Sequence, residues 1–472
     1  MTGRTYSDLV ASDLAHFIHP QYHASEHQEP VIFARGQGSL LYDVNGKEYI
    51  DGLASLWNVA VGHGRRELAE EAARQMSDLA FCNSYAGYSN VPAIELAERL
   101  CSLAYPNMAA VFYGNSGSEA NEGAFKAARF CWHLRGRPQK AKLICRREAY
   151  HGGTLGATSA TGMPVFWRGF EPLIPEFVRV GTCYCFRCEW GKTYPGCGIE
   201  CVAAVEEAIL REGPDTVAAV IAEPVHGAGG VIPPVPEYFP RLREVCDRHQ
   251  VLLIADEVIT GFGRTGRWFA LEHFRQGESA SGGGCVQPDI LTIAKAVTSA
   301  YVPLSAFVVS RQIHEAMTSA PLPERFMHAY TNSGHPAACA VALANLRIIE
   351  EEGLVENARR MGERLLTGLR SLEEMDIVGE VRGLGLMAGV ELVADKATRR
   401  PFEPSLGVGG RVLREARERG LVARVKGDSF LVAPPLVISA DQIDRMVEIV
   451  RESIRAVAAS NQQQATRPLH PP

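Results

Sequence analysis

Three short apolar runs, each followed at once by an ionisable side chain, most constrain how this chain can fold. The runs and the residues that follow them are 216–222 before Glu223, 251–255 before Asp256 and 290–294 before Lys295. Continuous apolar runs of this length are typical of strands buried on both faces, as in parallel α/β sheets. Open α/β sheets carry their chemistry at the carboxyl ends of the strands. We therefore expect an amine and two carboxylates at one edge of one sheet.

Lys295 is the most informative of these side chains. It is one of eight lysines, and the other seven lie in turns, in helical patterns or in polar surroundings. An amine in an apolar setting has a lowered pKa and suits Schiff-base formation with a carbonyl. A lone lysine after a strand is usually a solvated surface residue, and a lone carboxylate there is usually a helix cap. Helix capping does not easily explain why Glu223, Asp256 and Lys295 all follow predicted buried strands.

A candidate anion site comes earlier, in the sequence Gly-Asn-Ser-Gly-Ser-Glu-Ala-Asn at residues 114–121. Ser116, Gly117 and Ser118 let the backbone approach an anion closely, and alanines at helical spacing follow at once. The free N–H groups and the dipole of a helix N-terminus favour an anion. Taken alone, such a turn is more often a simple N-cap. It lacks the glycine spacing of a dinucleotide site and the Gly-Lys-Ser/Thr of a P-loop.

The order of phosphate turn, strand-end aspartate and strand-end lysine is what pyridoxal 5'-phosphate needs. The lysine bonds the cofactor aldehyde, and the aspartate keeps the ring nitrogen protonated so that the ring accepts electrons. From about residue 30 to about residue 455, the chain resembles the class III (ω-) aminotransferases among the fold-type I pyridoxal-phosphate enzymes. The resemblance implies Lys295 and Asp256 as catalytic residues, and no metal in the active site.

Several further segments carry the resemblance. Residues 41–51 and 62–63 resemble the opening strands and loop of the family, and Tyr150-His-Gly resembles its ring-stacking motif. Residues 256–266 are close to a family signature, which implies that Asp256 faces the ring nitrogen and that Val258 lies under the ring. The resemblance also places Glu223 in the cofactor site.

The segment Thr-Asn-Ser-Gly-His-Pro at residues 331–336 resembles the one whose threonine reaches the cofactor phosphate of the other subunit. This implies a homodimer in which each chain lends Thr331, together with Tyr85, to the active site of its partner.

Within the family, the chain most resembles the ω-amine:pyruvate and taurine:pyruvate branch. Trp57 matches an indole over the substrate pocket, and Arg424 matches a mobile arginine that binds the carboxylate of the keto acid bidentately. An ordinary surface ion pair is the other interpretation of Arg424. Ala228 stands where ornithine- and GABA-type members carry a glutamate, which argues against a 2-oxoglutarate enzyme. Trp57, Tyr85 and Ala228 are expected to shape the pocket.

The predicted fold class is α/β, a fold-type I pyridoxal-phosphate transferase with two lobes. The large lobe, residues 61–330, alternates strands and helices and should contain a mostly parallel sheet. The small α+β lobe should combine residues 1–60 with 331–472, and residues 458–472 are expected to be a disordered tail. The Gly/Ser-rich stretch at residues 277–284 is expected to be a surface loop.

Composition excludes several other classes of protein. At 472 residues the chain can bury a large core, and its net charge of −6 gives no sign of nucleic-acid or anionic-membrane binding. No apolar run reaches membrane-spanning length, and the N-terminal residues show no signal-peptide core. We therefore expect a cytoplasmic protein.

Five of the twelve cysteines cluster at positions 183, 185, 188, 197 and 201. This spacing could supply a four-thiolate zinc site. The alternative is an insertion whose small, buried thiols happen to be close together.

The predicted function is transfer of the amino group of a primary (ω-) amine such as taurine, β-alanine or a diamine to pyruvate. The products would be an aldehyde or ketone and L-alanine. The alternatives are another class III activity, either a 2-oxoglutarate-using aminotransferase or an aminomutase, and a non-enzymatic, zinc-stabilised interaction protein. The sequence does not identify the natural amine.

Overall fold

A computed structural model describes residues 3–21, 23, 25, 27–275 and 284–465 of the chain. Residues 277–283 of the predicted Gly/Ser-rich loop lie outside the described residues. The helices are α1 Tyr6–His16, α2 Ala54–Trp57, α3 Arg66–Asp78, α4 Val91–Leu103, α5 Gly117–Leu134, α6 Leu155–Ala160, α7 Glu200–Glu212, α8 Tyr238–Arg248, α9 Arg311–Thr318, α10 Pro336–Glu351, α11 Leu354–Arg370, α12 Val408–Glu418 and α13 Ala440–Ala465. The strands are β1 Phe33–Gln37, β2 Leu40–Asp43, β3 Glu48–Asp51, β4 Met108–Gly114, β5 Lys142–Arg146, β6 Phe177–Val180, β7 Val217–Ala222, β8 Leu252–Asp256, β9 Ile290–Ile293, β10 Ser305–Ser310, β11 Val378–Gly383, β12 Ala388–Leu392, β13 Leu421–Val422, β14 Arg424–Lys426 and β15 Ser429–Val432.

A seven-stranded sheet forms the centre of the molecule, in the order β4-β10-β9-β8-β7-β5-β6. Only β10 is antiparallel to its neighbours, so the other six strands run in one direction. Every residue of β7, β8 and β9 is buried, as their continuous apolar sequences predict. The mostly parallel sheet is confirmed, and its carboxyl edge collects the residues that follow these strands.

Helix α5 packs against this sheet through small side chains. It contacts β10, β9 and β7, and its buried residues include four alanines: Ala120, Ala124, Ala127 and Ala128. Alanines let the helix axis approach the strands closely, so that the N-terminus of α5 lies beside the strand ends.

Two four-stranded sheets complete the fold. One has the order β1-β2-β3-β13, and the other is an antiparallel sheet in the order β11-β12-β15-β14. Arg382 of β11 donates to the carbonyl oxygen of Gly230 at 2.7 Å and pairs with Glu391 of β12 at 3.2 Å. Because these groups are buried, the arginine ties the antiparallel sheet to the loop that follows β7.

The C-terminal helix differs from the expectation. Helix α13 begins at Ala440 and continues to Ala465, past residue 458 where the disordered tail was expected to begin. Residues 466–472 of that predicted tail lie outside the described residues. Apolar residues at helical spacing, such as Ile454 and Val457, are buried and hold α13 against the protein.

The lobe boundaries at residues 61 and 330 stay a prediction. Among the described residues, no helix is long and apolar enough to cross a membrane.

Candidate active site

The carboxyl edge of the large sheet brings Lys295, Asp256 and Glu223 together, as the sequence predicted. Strands β7, β8 and β9 are adjacent and parallel, and each ends at or just before one of these residues. Burial lowers the pKa of Lys295, while the nearby charges of Asp256 and Glu223 act to raise it and that of Arg424 to lower it. Lys295 has a backbone φ of 50°, in the left-handed region that non-glycine residues rarely adopt. Such strained residues concentrate at functional sites.

Asp256 is a buried carboxylate whose orientation is fixed by three donors. Its Oδ2 accepts from Asn121 Nδ2 at 2.9 Å and lies 2.7 Å from His151 Nδ1. Its Oδ1 accepts from the Val258 N–H at 3.1 Å. These partners fix the orientation of the carboxylate at the strand end.

Glu223 supports two loops of the site at once. Its Oε1 accepts from the Tyr150 N–H and its Oε2 from the Gly227 N–H, each at 3.0 Å. Burial acts to raise the pKa of Glu223, but the hydrogen bond and charge of His226, with smaller contributions from His151 and the Gly227 N–H, lower it to about 2. Glu223 therefore remains an anion and fixes the loop that carries Tyr150.

The predicted anion turn lies between β4 and α5. Ser116 is the N-cap of α5, and its Oγ accepts from the Glu119 N–H at 3.2 Å. A Cβ on Gly117 would lie 2.9 Å from Val258 Cγ1, so only glycine allows this close approach. Ser118 Oγ accepts from the Gly153 N–H at 3.0 Å, which joins the turn to the Tyr150 loop. The cap uses the Glu119 N–H, which leaves the N–H groups of Gly117 and Ser118 in the first turn of α5 for a phosphate.

Trp57 and Arg424, the aromatic ring and the cation of the predicted substrate site, lie against each other. The Arg424 guanidinium lies over the Trp57 ring, 5.4 Å from its centroid. Trp57 is buried and has a φ of 58°, and the carboxylate of Asp51 accepts from the Ser55 N–H of the same turn at 2.8 Å. Ala228 is buried in the loop that follows β7. The Trp57 Nε1 atom is buried without a hydrogen-bond partner among the described residues.

Thr331 and Tyr85, which were predicted to reach the active site of a partner chain, are exposed in the single chain. Tyr85 has 46% of its surface exposed. Next to Thr331, the Tyr330 hydroxyl donates to the Glu119 carbonyl oxygen of α5 at 3.0 Å. The role of Thr331 and Tyr85 in a partner's site stays a prediction.

The cysteine cluster lines a cavity of about 30 Å³. Cys183 is buried, and its Sγ accepts from Arg146 Nη1 at 3.5 Å. Within the described part of the chain, no three of the cluster's sulfur atoms lie within 4.8 Å of one another. The cysteines are thus arranged as small, closely packed thiols, and a four-thiolate zinc site is not preformed.

Sequence reasoning did not assign roles to Asn121, His151 or Gln21. Asn121 and His151 contact Asp256, and Gln21 Oε1 accepts from Arg424 Nη2 at 3.5 Å. Asn121 lies at the end of the predicted anion turn and His151 directly follows Tyr150, so their positions in the sequence could have indicated a place in the site. No local pattern marks Gln21.

These residues fit pyridoxal phosphate. The helix N-terminus suits the phosphate, Asp256 suits the ring nitrogen, and Lys295 suits the aldehyde. Tyr150 is partly exposed and lies on the loop fixed by Glu223, while Val258 is 9% exposed beside Gly117. His151 Nε2 and Asn121 Oδ1 are buried without hydrogen-bond partners among the described residues, which marks a polar site next to Asp256.

Comparison with known proteins agrees with this geometry. Residues 21–454 match the family model for class III aminotransferases. The fold is similar to that of an (S)-enantioselective ω-transaminase from Thermomicrobium roseum, with 44% identity, a TM-score of 0.91, and 96% of this chain and 99% of that chain covered. A diaminobutyrate–2-oxoglutarate transaminase from Halomonas elongata is 39% identical over 96% of each chain. A chloroplastic gamma aminobutyrate transaminase 3 from Solanum lycopersicum is 37% identical over 89% of this chain and 79% of its own length.

The family model covers most of the chain, and its expected cofactor fits the residues at the sheet edge. The protein therefore belongs to the class III aminotransferases, which are pyridoxal-phosphate-dependent enzymes of fold type I.

Proposed function

We propose that the protein transfers the amino group of a primary (ω-) amine to pyruvate, giving an aldehyde or ketone and L-alanine. The observation that carries this proposal is the position of Arg424. Its guanidinium lies against Trp57 and close enough to Lys295 to affect the pKa of the lysine. Among the described residues, no carboxylate forms an ion pair with Arg424.

An arginine without an anionic partner is suited to bind the carboxylate of a keto acid, because its two parallel N–H groups match the two oxygens. Burial lowers the pKa of Arg424, which shows that its charge is partly desolvated. A bound carboxylate would restore an anionic partner to this charge. When an amine without a carboxylate is bound, the Trp57 ring offers an apolar surface instead.

Ala228 supports the choice of a small keto acid. It offers no carboxylate that could draw Arg424 away from the pocket, so the guanidinium stays available to the substrate. The Halomonas elongata relative is named for 2-oxoglutarate, however, and 2-oxoglutarate is therefore the acceptor to test against pyruvate.

When bound, the cofactor supplies an aldehyde that condenses with amines and a pyridinium ring that accepts electrons. The chain supplies the rest. A lowered pKa increases the fraction of Lys295 whose Nζ is neutral, and that form can take a proton from the substrate carbon and return it. Asp256 keeps its anionic Oδ2 in place through Asn121 and His151, and Glu223 holds the Tyr150 loop.

A panel of amines, each assayed with pyruvate and with 2-oxoglutarate, tests the proposal. We expect alanine to form from a carboxylate-free primary amine and pyruvate faster than glutamate forms from the same amine and 2-oxoglutarate. A higher kcat/KM for 2-oxoglutarate across the panel would assign the enzyme to the 2-oxoglutarate-using members instead. Conversion of one substrate into an isomer, without a keto-acid acceptor, would identify an aminomutase.

We also propose that the active enzyme is a homodimer with shared active sites. Five exposed apolar residues support this: Phe81, Tyr85, Tyr88, Val91 and Ile94. Large apolar groups collected in one segment are typical of interfaces. A partner seated there would cover them and bring Tyr85 to the second site.

Three further proposals rest on the sequence alone. They are the large lobe at residues 61–330, the small lobe formed by the rest of the chain, and the cytoplasmic location.

A further inference from the structure

The N-terminal segment reaches the acceptor side of the pocket. After α1 ends at His16, the chain continues to Gln21, whose Oε1 accepts from Arg424 Nη2 at 3.5 Å. Gln21 has a φ of 55°, so the backbone turns sharply at this contact. The contact between Gln21 and Arg424 therefore links this segment to the predicted substrate residues.

Asp13 of α1 joins two histidines that flank this turn. His19 Nε2 lies 3.1 Å from Asp13 Oδ1 and 3.0 Å from Oδ2, and His27 Nε2 lies 2.9 Å from Oδ2. The two imidazole rings pack against each other with their centroids 3.6 Å apart. The three side chains are only 19–25% exposed. They form a compact, partly buried group.

The donor atoms are those that zinc-class ions prefer. Two imidazole nitrogens and a carboxylate suit Zn²⁺, Co²⁺ and Ni²⁺. In a tetrahedral zinc site, ligand atoms that lie about 2.1 Å from the ion are about 3.4 Å apart. The separations of 2.9–3.1 Å between Asp13 and the two histidines are hydrogen-bond distances, and they lie within about 0.5 Å of the tetrahedral spacing. One ligand atom from each residue lies within 4.8 Å of the others, and no second group of three in the described ranges does so.

We propose that Asp13, His19 and His27 bind one divalent transition-metal ion of the zinc class. The ion joins α1 to the chain that leads into β1, and it closes the turn that contains Gln21. Water or further donors complete its coordination. The site is separate from Lys295 and Asp256, and it takes no part in proton transfer at the cofactor.

Metal binding can be measured on tag-free holoenzyme that has been treated with a chelator and dialysed. Zn²⁺ is titrated by calorimetry, and the metal content is measured after gel filtration. We expect one Zn²⁺ per chain. Loss of an outer-shell partner alone lowers metal affinity about 10–100-fold, so loss of a ligand in Asp13→Asn, His19→Ala or His27→Ala should lower it at least as much. His16→Ala removes an exposed histidine of α1 outside the group and should bind Zn²⁺ as the wild type does.

Hydrogen–deuterium exchange gives a second measurement. Added Zn²⁺ should slow exchange of the described residues around Gln21 in the wild type and in His16→Ala, but not in Asp13→Asn. Substoichiometric binding by the wild type, equal affinity of wild type and His19→Ala, or exchange that Zn²⁺ leaves unchanged would each overturn the proposal.

Discussion

Two carboxylates at neighbouring strand ends have different surroundings, and this gives them different roles. Asp256 receives side-chain donors from Asn121 and His151. Glu223 receives backbone N–H groups from Tyr150 and Gly227 and acts on the pocket through those loops. The two carboxylates therefore differ in their hydrogen-bond partners. Asp256 is held mainly by side chains, whereas Glu223 holds the backbone of two loops.

Lys295→Ala should abolish transamination, because no other amine in the described structure lies at this strand edge. The variant should also lose the visible absorption band of the bound cofactor and any protein-linked product of borohydride reduction. Lys192→Ala removes an exposed lysine and is the matched control. Wild-type turnover by Lys295→Ala would refute the assignment of the catalytic lysine.

Arg424→Ala should weaken the binding of substrates that carry a carboxylate or a sulfonate, and it should leave other amines unaffected. Removal of one partner from a desolvated charge pair costs about 2–4 kcal/mol. At about 1.4 kcal/mol per tenfold, the KM for pyruvate should rise about 30-fold or more. The KM for a carboxylate-free amine should change little, whereas taurine, which carries a sulfonate, should behave like pyruvate. Lys426→Ala is the control, since it removes a second cation of β14 that pairs with Glu148. Equal losses for pyruvate and the simple amine would show that Arg424 is structural.

At the scale of elements, the pocket is assembled where loops from three sheets meet. Glu223 joins the loop after β5 to the loop after β7, and Arg382 of β11 binds the carbonyl oxygen of Gly230 in the latter. Ala228 lies between these two attachments. Its position therefore depends on buried polar contacts as well as on packing.

Glu223→Gln should change how stability depends on pH. The pKa of Glu223 is about 2 in the folded protein, against 4.5 ordinarily. A depressed pKa contributes stability above the unfolded value, and this is lost as pH falls toward the folded value. The wild type should therefore be stabilised relative to Glu223→Gln by about 3 kcal/mol above pH 5, at about 1.4 kcal/mol per unit. The difference in melting temperature should shrink as pH falls below 4.5. A difference that stays constant from pH 6 to pH 3.5 would exclude this role.

At the scale of the whole molecule, one surface segment carries exposed apolar side chains close to residues that the proposed dimer would share. Thr331 is exposed, and Tyr88, Val91 and Ile94 have 64%, 65% and 56% of their surfaces exposed. A two-fold dimer would cover this apolar surface and let each chain supply residues to the other.

Ile94→Arg should weaken the dimer, because it places a charge in the proposed interface. We expect the dissociation constant to rise at least tenfold, which corresponds to about 1.4 kcal/mol, and cofactor to be lost on dilution. Leu406→Arg changes an exposed leucine outside this segment and should remain dimeric. Sedimentation velocity measures the dissociation constants of the two variants. A fully active, cofactor-loaded wild-type monomer at assay concentration would contradict the shared site.

The sequence by itself determined the large sheet and the chemistry at its edge. Strands β7, β8 and β9 consist almost entirely of apolar residues, which predicts that they are buried. The ionisable residue at or shortly after the end of each strand is then placed at the carboxyl edge. Lys295, Asp256 and the anion turn could be predicted for this reason, because each depends on one strand or one helix start.

Only the tertiary structure decided which distant side chains meet. Arg424 lies against Trp57, His151 reaches Asp256, and Asp13 joins His19 to His27. These contacts depend on how separate helices and sheets pack, and a local pattern of polarity does not encode that packing. The C-terminal helix also depends on tertiary packing. The polar sequence after residue 458 predicts disorder, yet residues 459–465 continue a helix whose preceding turns are held by buried contacts.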